Sequence, residues 1–529
     1  MTPVTENPID RRSMLRAALA AGSLAAAPAF AATSPIAETR YGKVKGYRRG
    51  GIHCFKGIRY GADTAPRRFM PALPPTPWAG VIDAVEYGPA APQSRNTEKQ
   101  SEDCLFLNVW TPGLKDGKKR PVMFYIHGGA YSGGSGSSPL YDGVNLATRG
   151  DVVVVTVNHR LNLFGYLSLA RFDADYPDSG NVGQLDLLLA LQWVRENIEN
   201  FGGDPNCVFV FGQSGGGAKI ATMMAMPGAM GLFHRATTMS GNQVTACGPF
   251  HAMRRTEAFL KQLGMTTVDI GKLKTMPVEQ LIAGMKAPDP IADFKAGVYF
   301  GPVLDDRNLH RHPFYPDAPA MSLDIPMMIG NTHDETRILI GGGDEKMFHL
   351  QWQDLPQLLQ DNLRMDISPE LVVSEYRRLY PRYSPSDVFF AATTAGRSWR
   401  GAIIEDEMHA QSRSPAFAYQ VNWASPLDGG KWGAPHTIDI ALAFGNTAAD
   451  HKLIGDGPQA RAMSAIVSET FIAFARTGVP DNKTIPHWTP YSMEKRETMI
   501  FDLPPRMEND PRGEERKLFA RVPFTQFGT

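Results

Sequence analysis

Four apolar, β-prone residues, Val208-Phe209-Val210-Phe211, run directly into Gly212-Gln213-Ser214-Gly215-Gly216. A strand that ends on G-x-S-x-G must turn sharply at the serine and leave as a helix. The glycines two positions either side then let strand and helix pass without Cβ clashes. This constraint points to an α/β architecture with the Ser214 hydroxyl exposed on the bend and the Gly215 N–H facing the place where an oxyanion would form. The pentapeptide decides little by itself, because a chain of this glycine and serine content supplies roughly 0.3 chance matches over its length. Its surroundings must decide.

Those surroundings read as a parallel sheet. Pro121-Val122-Met123-Phe124-Tyr125-Ile126 and Val152-Val153-Val154-Val155-Thr156-Val157 are continuous apolar runs, the pattern of strands covered by helices on both faces. Between the second run and the serine, Leu187, Leu188, Ala190, Leu191, Val194 and Ile198 recur at helical spacing, giving the order strand, helix, strand, elbow. Upstream, Ala32 to Pro121 is a strand-rich opening. Downstream, helical periodicity from Phe250 to about Ile325 and from Gln353 to Gln411 flanks a strand at Pro326–Gly330, and a further strand, Ala416–Val421, precedes an amphipathic helix over Ala460–Thr477. No linker separates these parts, so residues 32–529 read as one catalytic domain with helical insertions that form an active-site gorge.

Charge narrows the partners. The 54 basic residues balance 54 acidic ones, so no net field favours nucleic acid or an anionic membrane, and a neutral small molecule is the default partner. No internal apolar run reaches the eighteen or so residues of a membrane span, so no stable membrane insertion is expected. Residues 1–31 are a separate object: Arg11-Arg12-Ser13-Met14-Leu15-Arg16, an Ala-rich stretch and Ala29-Phe30-Ala31 make a twin-arginine signal with cleavage after Ala31. Periplasmic or secreted localisation and the twin-arginine export machinery as a transient partner follow. Cys54, Cys104, Cys207 and Cys247 lack C-x-x-C spacing, and neither a zinc knuckle nor a redox dithiol is indicated.

A serine hydroxyl needs a general base and a group that orients it. Glu335 lies in a loop directly after a predicted strand, where such a fold presents its acid, with Asp334 beside it as the competitor. Of thirteen histidines, His436 follows Gly433-Ala434-Pro435 in a loop and comes after Glu335, which is the required order. The glycine-rich His127-Gly128-Gly129-Ala130-Tyr131 follows the strand ending at Ile126 and can turn amides toward a substrate oxygen. It lacks the G-K-[ST] of a phosphate loop.

With Ser101 to Trp110, Asn158-His159-Arg160-Leu161, Asn197 to Pro205, Gly330 to Glu335, Gly433 to Phe444 and Phe474-Ala475-Arg476-Thr477-Gly478, the chain resembles the type-B carboxylesterases, a branch of the α/β hydrolases. The resemblance implies that fold and a Ser214–Glu335–His436 triad. It also implies oxyanion donors at Gly129, Ala130 and Gly215, supported by Gly128, and an acyl-enzyme route to hydrolysis of neutral carboxylic esters with no metal or organic cofactor. An amidase, a lactonase or a specialised detoxifying esterase shares this machinery, and a neuroligin-like binding module shares the scaffold. Against the family pattern, Gln213 replaces the usual Glu. Cys104 lacks its partner near Ala91. No aromatic site for a quaternary ammonium is present, and Ala296, Gly297 and Val298 stand where cholinesterases narrow the acyl pocket, which predicts a roomier one.

Overall fold

Alternation along one central strand divides the interior in two. Every residue of Arg120–Ile126 is buried, yet Val122, Phe124 and Ile126 join one hydrophobic cluster while Met123 and Tyr125 join another, as a period of two requires. With no polar face, such a strand is spelled as a continuous apolar run. The computed structural model describes residues 34–529 apart from 95–97, 293–296, 451 and 527, and the predicted signal over residues 1–31 lies outside them.

In chain order the strands are β1 (Ile36–Thr39), β2 (Gly42–Lys45), β3 (Tyr47–Arg49), β4 (Ile52–Arg59), β5 (Val81–Asp83), β6 (Phe106–Thr111), β7 (Arg120–Ile126), β8 (Val153–Val157), β9 (Gly203–Gln213), β10 (Arg235–Met239), β11 (Met327–Thr332), β12 (Ala416–Val421), β13 (Glu497–Phe501) and β14 (Arg506–Asn509). Strands β1, β2 and β5 form a small sheet. The other eleven form one sheet in the order β14-β13-β12-β11-β10-β9-β7-β8-β6-β4-β3. Every pairing from β8 across to β13 is parallel, and the antiparallel pairings lie toward the two edges. Helices Val182–Asn197 and Gly215–Met224 lay Leu187, Leu191, Val194 and Ile220 on the Val122 face. Helices Ile438–Phe444 and Pro458–Thr477 lay Leu442, Met463, Phe471 and Phe474 on the Met123 face. This is the expected α/β layering.

Register places the chemistry. Ile126 of β7 pairs with Gly212 of β9, so the loop after β7 and the serine turn after β9 leave the sheet side by side at its carboxyl end, where open α/β sheets bind ligands. Between β10 and β11, helices Pro249–Gln262 and Val278–Gly284 form as the periodicity predicts, but the described residues from 287 to 319 are irregular where helix was expected. Pro288, Pro290, Pro302, Pro313, Pro316 and Pro319 deny that stretch a helix, and Asp305 instead gathers the amides of Arg307 and Leu309 at 3.0 and 2.9 Å into a turn. The second insertion, between β11 and β12, is helical throughout most of its length and has its own core around Leu355, Leu359, Tyr376, Phe389 and Phe390.

No helix among the described residues is long and apolar enough to cross a membrane. All four cysteines are free thiols, and burial pushes the Cys104 thiol well up. Residues Pro35–Thr529 form one compact unit.

Candidate functional site

The turn after β9 is strained. Ser214 has φ 56° and ψ −125°, a region that costs a non-glycine residue about 1–3 kcal/mol and persists only where the surroundings impose it. What imposes it is a hydrogen bond from the Ser214 amide to the Met239 carbonyl (2.7 Å) and the crossing of strand and helix: a Cβ on Gly216 would lie 2.0 Å from the Ile126 oxygen. Only glycine permits that crossing.

Ser214, Glu335 and His436 line one cavity of about 160 Å³. Glu335 is fully buried; one carboxylate oxygen accepts the Thr332 amide (2.9 Å) and the other accepts a short hydrogen bond from His436 Nδ1. Burial lowers the imidazole pKa, but the charge of Glu335 and this hydrogen bond outweigh it and hold His436 above its ordinary value. With Nδ1 donating, Nε2 is the basic nitrogen, and it faces Gln213 Nε2 at 3.1 Å. No hydrogen bond joins Ser214 to His436 among the described residues.

Asp334, the neighbouring carboxylate, has another task. It accepts the Ala434 amide (3.0 Å) while its own amide donates to the Ala434 carbonyl (2.9 Å), and it receives Arg337 Nε at 3.2 Å. Burial opposes its ionisation, but His333, Arg337 and the Ala434 amide hold it well below the usual carboxylate range. Asp334 therefore ties the Glu335 loop to the His436 loop. Gly433 has φ 58°, and a Cβ there would lie 2.4 Å from the Asp334 carboxylate.

The loop after β7 packs directly on the serine turn. Ala130, with φ 53°, and Gly215 line the cavity, whereas Gly129, with φ 91°, does not. The amides of Gly129 and Ala130 have no protein acceptor among the described residues. A Cβ on Gly215 would sit 2.1 Å from the Ala130 oxygen, and that same oxygen accepts a 2.6 Å hydrogen bond from Lys219 Nζ. Lys219 is fully buried one turn along the helix from the serine, 5.1 Å above the Tyr131 ring, and burial pushes its amine down to about 7. His127 and His159, stacked at 4.9 Å, lie near enough to feel its charge, and burial together with that charge keeps both neutral. The sequence pattern did not single out Lys219; a lysine five residues after the serine, on an otherwise apolar helix, was the available signal.

The carboxylesterase family model matches residues 33–519. The chain is 37% identical to the para-nitrobenzyl esterase of Bacillus subtilis over 506 residues, covering 92% of this chain and 99% of that one. It is 31% identical to the phenmedipham hydrolase of Pseudarthrobacter oxydans, with 88% and 95% covered. The carboxylesterase of Geobacillus stearothermophilus superposes with a TM-score of 0.81 at 34% identity, with 92% and 99% covered. The chain belongs to the carboxylesterase family. It is a serine carboxylic ester hydrolase on the α/β-hydrolase fold.

Within this carboxylesterase, Gly297 and Val298 of the expected acyl-pocket stretch do not line the cavity of Ser214. Ala296 is outside the described residues. Gly297 has φ 93°, Val298 is buried in the cluster around Phe259 and Leu281, and Tyr299 lines the cavity. An aromatic side chain just after that stretch therefore borders the cavity. A larger open groove of about 1170 Å³ elsewhere shares no lining residue with this cavity, and its Arg49 and Arg461 are paired with Asp142 and Asp456.

Proposed function

We propose that this carboxylesterase cleaves esters through an acyl-enzyme on Ser214, with His436 as general base and Glu335 as the carboxylate that orients it. The observation that carries the reading is a strained Ser214 in the same small cavity as a hydrogen-bonded Glu335–His436 pair. Attack begins when the Gln213 amide yields His436 Nε2 to the Ser214 hydroxyl, which transfers its proton and adds to the ester carbonyl. Amides of Gly129, Ala130 and Gly215 take the developing oxyanion. Collapse expels the alcohol, protonated by the imidazolium, and water activated by the same base then releases the acid. A Ser214→Ala variant is expected to melt like the parent, to lose ester turnover by about 10⁴-fold or more and to escape labelling by a serine-directed organophosphate. Substantial residual turnover in that variant would refute the assignment.

The reading extends to residues 1–31 as a twin-arginine signal that sends the folded domain, residues 32–529, to the periplasm or outside. The Arg11-Arg12 pair and Ala29-Phe30-Ala31 support it. Secreted material should begin at Ala32, and active protein retaining Met1 in the cytoplasm would count against it.

A further inference from the structure

The cavity beside Ser214 contains two guanidinium groups. Arg364 and Arg397 both line it, and the one carboxylate in its wall among the described residues, Glu335, is engaged by His436 and the Thr332 amide. The backbone is bent to bring them there. Arg397 sits in a π-helical turn, Ala395–Trp399, set between the helices Pro385–Thr394 and Arg400–His409, and such turns gather at functional sites. Its neighbour Gly396 comes so near the Leu363 carbonyl that a Cβ would lie 2.3 Å from that oxygen. Arg364, the next residue after Leu363, has φ 58°, a left-handed conformation that a long side chain adopts at a cost. One close approach of two backbones thus sets the two side chains at the same cavity wall.

The surroundings of Arg397 call for an anion. Burial pushes Arg397 down to about 10, and no carboxylate among the described residues contributes to raise it. Burial pushes Arg364 down to about 9, the charge of Arg397 pushes in the same direction, and Tyr299 works against both. The hydroxyl of Ser398, buried on the same cavity wall, has no hydrogen-bond partner among the described residues. The forked donor of Arg397 and the spare hydroxyl next to it, with the positive charge of Arg364 at the same wall, match the planar, two-oxygen geometry of a carboxylate.

We propose that Arg397, with Arg364 at the same wall, forms a carboxylate subsite, so that the favoured substrates are esters carrying a second, free carboxylate, such as half-esters of dicarboxylic acids. This rests on the ester hydrolysis assigned to Ser214. Hydrolysis of such a half-ester yields the alcohol and the dicarboxylate, with water as the only co-reactant.

The test compares the whole enzyme on monoethyl and diethyl esters of succinate, adipate and suberate by ethanol release. For the best chain length, kcat/KM for the half-ester should exceed that for the diester by about 10- to 100-fold, the range of a charge-assisted contact pair, and added salt should erode the ratio. In Arg397→Gln the ratio should fall by about 10-fold or more, with Arg397→Lys between the two, and free dicarboxylate should inhibit the parent competitively and Arg397→Gln more weakly. Diesters turned over as well as or better than half-esters by the parent, with no salt dependence, would overturn the subsite while leaving ester hydrolysis intact. Turnover of neither ester nor of p-nitrophenyl butyrate by folded protein would instead overturn the hydrolytic reading and the subsite with it.

Discussion

Arg160 and Arg397 are both drawn into the protein, and they are treated in opposite ways. Arg160 is fully buried and saturated: Nε and Nη2 donate to the two oxygens of Asp186 at 2.8 and 2.6 Å, Nη1 donates to the Met70 carbonyl at 2.7 Å, and its backbone amide reaches Asp186 as well. Arg397, in the helical insertion, forms no ion pair among the described residues and points its charge at the cavity. The scaffold around β8 and the helix Val182–Asn197 pairs the arginine it buries with Asp186, whereas the insertion over the active site leaves Arg397 with no counter-charge among the described residues. Fixed geometry comes from the first kind of arginine. Recognition comes from the second.

The sharpest way to break this contrast is to remove the partner of the first kind. Asp186→Ala leaves Arg160 charged and buried and should cost about 3–5 kcal/mol of unfolding free energy, read as a lowered urea midpoint. Arg397→Gln should lose no stability in the same assay, because it relieves an uncompensated charge. Equal losses in both would erase the distinction. A smaller effect is expected at Lys219, which resembles Arg160 in burial but serves a single acceptor. Lys219→Met removes the donor that fixes the Ala130 carbonyl and should lower kcat by about 10-fold, about 1.4 kcal/mol, for neutral and charged esters alike, with little change in KM.

The smallest effect is electrostatic. His436 must be neutral to act as base, and its pKa lies above the ordinary 6.5, so kcat/KM should fall as pH drops through a value above 6.5. The charge of Arg397 lowers the His436 pKa. Arg397→Gln should therefore move that acid limb to higher pH, and a limb that stays still or moves down would show that the guanidinium does not face the imidazole.

Much of this was legible in the sequence because the physics is local. Pro121–Ile126, Val152–Val157 and Ala416–Val421 announce themselves as buried strands by having no polar face, and the turn at Ser214 by its glycines. Strand β10, Arg235-Ala236-Thr237-Thr238-Met239, gave no such run, because threonine can line the sheet interior when its neighbours supply the contacts. Glu335 and His436 came from chain order and family resemblance, and the structure brings both to the cavity of Ser214. The division of labour between Asp334 and Glu335 was illegible, since it depends on Ala434, a hundred residues away. Arg364 and Arg397 left no pattern either, for their meeting is made by the approach of Gly396 to Leu363, and whole-chain neutrality is silent on where charges sit.

The free thiols have a consequence beyond packing. A fold of this size held without any covalent cross-link among its cysteines reaches its final shape by burial and hydrogen bonding alone, and neither oxidant nor reductant enters that reaction. Such a chain needs no oxidising compartment to assemble.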